Sequence, residues 1–163
     1  MKRRALLPLG GAALVLAGCG FALRQAPTFA FATIYIATTS PVGRELGRSI
    51  GNGDSVKVIQ SGAADAAQVV LDVLAEQREK VVVGLNASGQ VREFQLRSRF
   101  KFKLRTPQGK ELIPETELLQ QRDISFNESA VLAKEAEESL LYRDMQTDIV
   151  QQLMRRLAAV KTL

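Results

Sequence analysis

Five cations stand on alternate positions of one stretch, Arg97, Arg99, Lys101, Lys103 and Arg105, with Leu96, Ser98, Phe100, Phe102 and Leu104 between them. Side chains of an extended strand point to opposite faces with a period of two, so this spacing gathers the cations on one face and the apolar groups on the other. Two kinds of chemistry follow. The cationic face can hold an anionic partner, or it can be a solvated sheet face whose charges are answered by acids on neighbouring strands. Glu115 and Glu117, in the next strand-like segment, are the candidates for the second case. Beside cations such carboxylates stay ionised, which is the wrong setting for a general acid, and Glu137 and Glu138 belong to a helical run of charge. The chain has no histidine and a single cysteine, Cys19, so histidine-dependent triads and the usual zinc and transition-metal sets lack their ligands. No glycine-rich phosphate loop opens a helix after a strand. Neither an enzyme nor a cofactor or metal is expected.

The cysteine is explained by what precedes it. "MKRR" is a positive start, "ALLPLGGAALVLA" is an apolar run of secretory length, and it is too short to span a bilayer as a helix. The four residues that follow on from it, Leu16-Ala17-Gly18-Cys19, resemble the lipobox of bacterial lipoproteins. That resemblance implies cleavage after Gly18 and acylation of Cys19. Each buried methylene contributes about 0.8 kcal/mol, so several chains on one residue anchor stably where one is marginal. Residues 1–18 are then a signal peptide, 19–32 an acylated tether, and 33–163 one domain. Cleavage removes Lys2, Arg3 and Arg4 and no acid, which lowers the formal charge from +5 to +2 (5 minus 3). Nucleic acid is not an expected partner of so weakly basic a chain in that compartment. Gly20 stands where retention in the inner membrane would favour Asp, so the resemblance implies the periplasmic side of the outer membrane.

Further along, "TIYIA" from Thr33 predicts a first strand, and Ser40 with Pro41 predicts a helix start. Val42, Leu46 and Ile50 give that helix one apolar stripe, and Gly51 or Gly53 ends it. "SVKVIQS" is a brief strand-like piece before a long strand over 68–85. In that strand Val69, Leu71, Val73 and Ala75 share one face with Gln68, Asp72 and Glu76 opposite, and a bulge is placed near 77–80. "NASGQ" and "TPQGKE" are turns on either side of the cationic strand. A three- or five-residue second turn pairs odd positions with odd, faces Leu112 to the core and sets Glu115 and Glu117 across from two of Arg99, Lys101 and Lys103. Pro114 marks an edge position or a bulge. A last helix runs from Asn127 as N-cap to about Ala159, on an i+4 row of Leu141, Met145, Ile149, Leu153 and Leu157 that Ala133, Ala136 and Leu140 extend toward its start. The expected fold is α+β: two helices packed on one face of a mixed, roughly four-stranded sheet with long strands, its other face polar.

"CGFALR" at Cys19 to Arg24, the "VREFQL" strand, the Pro/Gly turn and "LAKEAEESLLYRDMQTDIVQQLMRRL" occur in one order. In this the chain resembles the LptE family of lipopolysaccharide-assembly lipoproteins of Gram-negative bacteria. The resemblance implies a lipoprotein that plugs the outer-membrane β-barrel LptD one to one, assists its assembly, and takes part in moving lipopolysaccharide into the outer leaflet. It also implies a contact to the lipid's anionic head group at Lys134, in "LAK". A second cation of relatives falls near Asn86, which is not basic, and Arg97, Arg99, Lys101 and Lys103 are candidates to compensate. Two other readings stay open: an accessory lipoprotein of another outer-membrane machine, of pilotin or barrel-assembly type, and a hydrolase built on Glu115 and Glu117.

Overall fold

The computed structural model describes residues 27–37, 40–53 and 55–163; the signal-like segment, Cys19 and the tether before Pro27 lie outside the described residues. In chain order the elements are strand β1 (Thr33–Ile36), helix α1 (Pro41–Gly51), strands β2 (Lys57–Ile59), β3 (Val69–Leu85), β4 (Val91–Arg105) and β5 (Glu111–Ser125), and helix α2 (Val131–Ala159). The strands form one mixed sheet in the order β2-β1-β3-β4-β5, with β1 parallel to β2 and β3 and the other pairs antiparallel. The α+β expectation is met with five strands rather than about four, because the brief piece after α1 pairs along Thr33 to Tyr35 as an edge strand.

The alternation in β4 decides the centre of the molecule. Leu96, Phe100, Phe102 and Leu104 are fully buried on one face, where Phe100, Phe102 and Leu104 meet Val42, Leu46 and Ile50 of α1 and Ile149, Leu153 and Leu157 of α2, and Leu96 packs in a second, smaller cluster with Ile124 and Met145. Ile34, Ile36 and Leu71 complete this core from the neighbouring strands. α1 begins as its sequence requires: the Ser40 hydroxyl accepts from the Gly43 amide at 3.0 Å, and Pro41 occupies the first turn, where no donor is missed. Gly47 of α1 faces β2, where a Cβ would make ordinary contact with Val58 at 3.6 Å and would shift only the end of the Gln60 side chain.

The second turn has five residues between the paired Arg105 and Glu111, closed by the Thr106 amide donating to the Lys110 carbonyl at 2.8 Å, with Gly109 at φ +96°. Beyond two register shifts beside the turn, where Leu104 pairs with Ile113, odd positions pair with odd and Lys101 stands opposite Glu117. β5 is an edge strand, and its ladder shifts between Thr116 and Ile113, across Pro114. That shift turns both Leu112 and Ile113 against the core.

Three expectations are corrected. The bulges of β3 fall between Val73 and Ala75 and on either side of Gly84, not at 77–80. The first of them inserts Leu74 without a partner, and everything beyond it changes side. Ala75 then pairs with Lys101 on the open face, whereas Glu76 pairs with Phe100 on the helix face, the reverse of the simple alternation. At the start of α2, Ala133, Ala136 and Leu140 are exposed, and the inward positions are Lys134, Glu138, Leu141 and Tyr142. An i+4 step advances 400°, about 40° beyond a full turn, so a row of six such steps from Leu157 back to Ala133 drifts off the buried face. Asn127 caps not α2 itself but a 3₁₀ turn, Glu128–Ala130, that leads into it.

Replacement of Phe100 by Ala is expected to destabilise the fold by about 3–5 kcal/mol through transfer loss and a residual cavity. Leu119→Ala, at a position 40% exposed on β5, should change stability by less than about 0.5 kcal/mol. Chemical denaturation of the two variants measures both.

Candidate functional site

The open face of the sheet carries the cations of β4, each with a carboxylate beside it. Arg105 Nε lies 2.7 Å from Asp72, and Lys103 Nζ lies 3.9 Å from the same group. Arg99 bridges Glu79 at 3.3 Å and Glu117 at 3.0 Å, Lys101 bonds Glu115, and Arg97 stands 4.0 Å from Glu79 while donating to Gln95 at 2.8 Å. Four carboxylates thus meet the five cations. The expected partners Glu115 and Glu117 come from β5, and Asp72 and Glu79 come from β3. Glu79 reaches this face because of the Leu74 bulge, which sets it opposite Arg97. The hydrogen bond and charge of Glu115 hold the Lys101 ammonium above its ordinary pKa, and the hydrogen bond that Arg105 donates to Asp72 does the same for Arg105. An anion arriving on this face must displace carboxylates already in place.

The same bulge turns Glu76, Arg78 and Lys80 under the helices. Glu76 accepts from the Ser40 hydroxyl and faces the Val42 amide at 3.4 Å, a negative group at the positive end of α1. Arg78 donates to Gln146 at 2.8 Å and lies over the Tyr142 ring at 5.2 Å. The Tyr142 hydroxyl donates to the Glu79 carbonyl at 2.7 Å, and burial, with Glu138 nearby, pushes its pKa up. Lys80 is 2.6 Å from Glu138 and 4.4 Å from the centre of the Phe94 ring.

Lys134 sits in this second region, on the opposite side of the sheet from Arg97, Arg99, Lys101 and Lys103. Its ammonium donates to Ser125 Oγ at 3.0 Å and to Glu137 at 2.8 Å. Lys134 and Lys80 line one small cleft with Phe94, Ile124, Phe126 and Val131. Asn86 takes no part: its side-chain oxygen accepts from Ser88 and Gln90, closing its own turn. Lys80 was not singled out by the sequence, because a bulge expected near 77–80 rather than at Leu74 leaves its side of the sheet unassigned. A count back from the "NASGQ" turn would have found it, since that hairpin pairs Val82 with Phe94 and Lys80 with Leu96. Cys19 lies outside the described residues, and among these no helix is long and apolar enough to cross a membrane.

Comparison with known proteins places this geometry. The family model described as LptE, lipopolysaccharide-assembly, matches residues 31–157. An LPS-assembly lipoprotein LptE of Photorhabdus laumondii is 32% identical over 98% of this chain and 88% of its own length. A second, from Pectobacterium atrosepticum, is 28% identical over 94% of this chain and 84% of its own. The solution structure of an uncharacterized lipoprotein B from Nitrosomonas europaea superposes with a TM-score of 0.74 at 35% identity, covering 86% of this chain and 91% of that one. The crystal structure of rare lipoprotein B from Shewanella oneidensis shares the fold at a TM-score of 0.62 and 21% identity, over 78% of this chain and 92% of that one.

The alkaline limb of stability follows from two groups on these faces. Both Lys101 and Tyr142 have folded-state pKa values raised above the unfolded ones. The stability they contribute is therefore complete below about pH 10 and lost as pH rises through the folded values. Denaturation followed from about pH 9 to about pH 12 should show this decline, with a shallower slope for both Glu115→Gln and Tyr142→Phe.

Proposed function

Because the chain belongs to the LptE lipopolysaccharide-assembly family, we propose that it is a lipid-anchored, non-catalytic partner and plug of the LptD barrel. It has a role in lipopolysaccharide assembly. Cys19 would carry the acyl chains on the periplasmic side of the outer membrane, and the domain would enter the barrel one to one, assist its assembly, and help lipopolysaccharide reach the outer leaflet. The observation that carries this reading is the extent of the family match: residues 31–157 include the whole sheet, α1 and all but the end of α2.

In this role Lys134 contacts the anionic head group. Its ammonium offers three donors as a compact charge, and its present ligands, Ser125 Oγ and Glu137, are side chains that a phosphate can replace. A phosphate on either face gains one ion pair while breaking another, since Glu137 holds Lys134 as Glu79, Glu115, Glu117 and Asp72 hold Arg97, Arg99, Lys101 and Lys103. The open-face cations make the weaker contribution because Arg99, at their centre, must be taken from two carboxylates at once.

Tagged full-length protein extracted from outer membranes in mild detergent should carry an equimolar large β-barrel of the lipopolysaccharide system, identified by mass. Recovery of another secretion or assembly machine in its place would overturn the reading. In a direct binding assay with lipopolysaccharide, Lys134→Gln should weaken affinity about tenfold, the loss of one charge-assisted hydrogen bond. The combined change of Arg99, Lys101 and Lys103 to Gln should weaken it less.

A further inference from the structure

Exposed cations that lack an ion pair gather mainly at one end of the domain, the end where the strands β1 and β3 begin. Tyr35, Val70, Arg105 and Glu111 stand level across the sheet, and Lys57 lies beside Thr33, two residues nearer that end. Both helices finish here: α1 returns the chain to Lys57, whose amide donates to the Ala32 carbonyl at 2.9 Å, and after α2 the Leu163 carbonyl accepts from Lys110 Nζ at 2.9 Å. Arg48, Lys57, Lys110, Arg155, Arg156 and Lys161 are all exposed on this end. Among the described residues none of the six forms an ion pair, whereas the cations of the open face and of the α2 cleft each have a carboxylate. Asp65 and Glu111 are the acids nearby, and Asp72 is already held by Arg105 and Lys103. A cation in the last helical turn complements the helix dipole, which accounts for Arg48 and Arg156. It does not account for Lys57 on a strand, Lys110 in a turn or Lys161 beyond α2.

The chain also enters the sheet at this end. The Ala32 amide donates to the Gln68 side chain at 2.7 Å and the Gln68 amide to Thr33 Oγ at 2.8 Å, so the residues before β1 are fastened to the start of β3. Cys19 precedes Pro27 by eight residues (27 minus 19), a length of at most about 28 Å when extended. We propose that this basic end is a seat for the anionic headgroups of phospholipid, on which the free lipoprotein stands upright with the α2 cleft held away from the bilayer. The nearness of this end to a membrane rests on the acyl anchor proposed at Cys19; its charge does not. Several acyl chains already suffice for attachment, so the cations act on orientation. Each lysine or arginine close to an anionic surface favours the seated state about fivefold, within a Debye length of about 8 Å. The six cations come from α1, β2, a turn and α2 and converge on no common point, which matches a layer of headgroups rather than one phosphate.

The test places the full-length acylated protein in vesicles of phosphatidylcholine, alone or mixed with phosphatidylglycerol, that carry a quencher on their headgroups. A fluorophore is attached through Gln108→Cys, in the turn at this end, or through Ser88→Cys, in the far turn. The Gln108 position should be quenched in mixed vesicles and released by high salt, and the Ser88 position should stay bright in both. Arg155→Gln, Arg156→Gln and Lys161→Gln together should shift the seated state about a hundredfold toward the free one, three steps of about fivefold. Equal quenching at Gln108 in neutral and mixed vesicles, an unchanged triple variant, or quenching at Ser88 would each overturn the seat. If the triple variant is unchanged on vesicles but no longer recovers the barrel from outer membranes, this end meets protein instead of lipid. Wild-type protein that floats with vesicles yet ignores their charge sinks the seat alone; protein that floats with neither composition sinks the anchored reading as well.

Discussion

A single inserted residue, Leu74, governs the chemistry of both faces of the sheet. The side-chain period of a strand is two, so one unpaired residue exchanges the faces of everything beyond it. Before the bulge β3 buries Val69 and Leu71 and shows Asp72 to Arg105. After it, Gln77 and Glu79 face outward beside Arg97 and Arg99, and Glu76, Arg78 and Lys80 turn inward. The outward set completes a neutralised ladder, and the inward set furnishes polar contacts to both helices. Without the insertion, Arg78 and Lys80 would add their charge to the cations of β4, and Glu79 would lie beneath α2.

The inward polar groups explain how two amphipathic helices stay fixed on a sheet whose far half offers only a small apolar cluster, Leu96 and Ile124 with Met145 of α2. Near the core, Ile149, Leu153 and Leu157 hold α2 mainly by burial, with Asp148 accepting from Arg122 of β5 at 2.6 Å beside them. Farther out the contacts become specific: Arg78 to Gln146, Tyr142 to the Glu79 carbonyl, Lys80 to Glu138. Glu45 of α1 accepts from Gln146 at 2.6 Å and from Thr147 at 3.0 Å, so the helices are tied to each other as well as to β3. Hydrogen bonds of this kind add about 1 kcal/mol each. Their greater effect is directional, since they admit one rotation of α2 where an apolar surface would accept several.

The contrast between these halves accounts for what the sequence made legible. Strict alternation in β4, the Ser40–Pro41 start of α1, the five-residue turn and the edge position of Pro114 are local signals, and each is met in the fold. Glu115 and Glu117 were readable as partners of the cations because an odd turn sets the parity of the pairing, although only Glu117 stands directly opposite one, Lys101, and Glu115 reaches the same lysine as an ion pair. The position of the bulge was not, because "VVLDVLAEQREKVVVGL" has apolar residues on both parities and no glycine or proline near Leu74 to mark an insertion. Lys80 and Glu79 were lost with it. The drift of the α2 stripe was legible in principle, from the 40° excess of each i+4 step, but alanines at 133 and 136 suit either a buried or an exposed face.

The entry of the described chain into the sheet and the Lys80–Lys134 cleft lie at different levels along the strands. β1, which receives the chain from the N-terminal side, pairs with β3 at Val69 to Leu71, and Lys80 lies near the other end of the same strand. At about 3.3 Å per residue the two levels are separated by roughly 30 Å. The paired charges of the open face and the buried core occupy the interval. The point where the chain enters β1 and the Lys80–Lys134 cleft therefore lie toward opposite ends of β3, and the distance between these two levels is set by strand length.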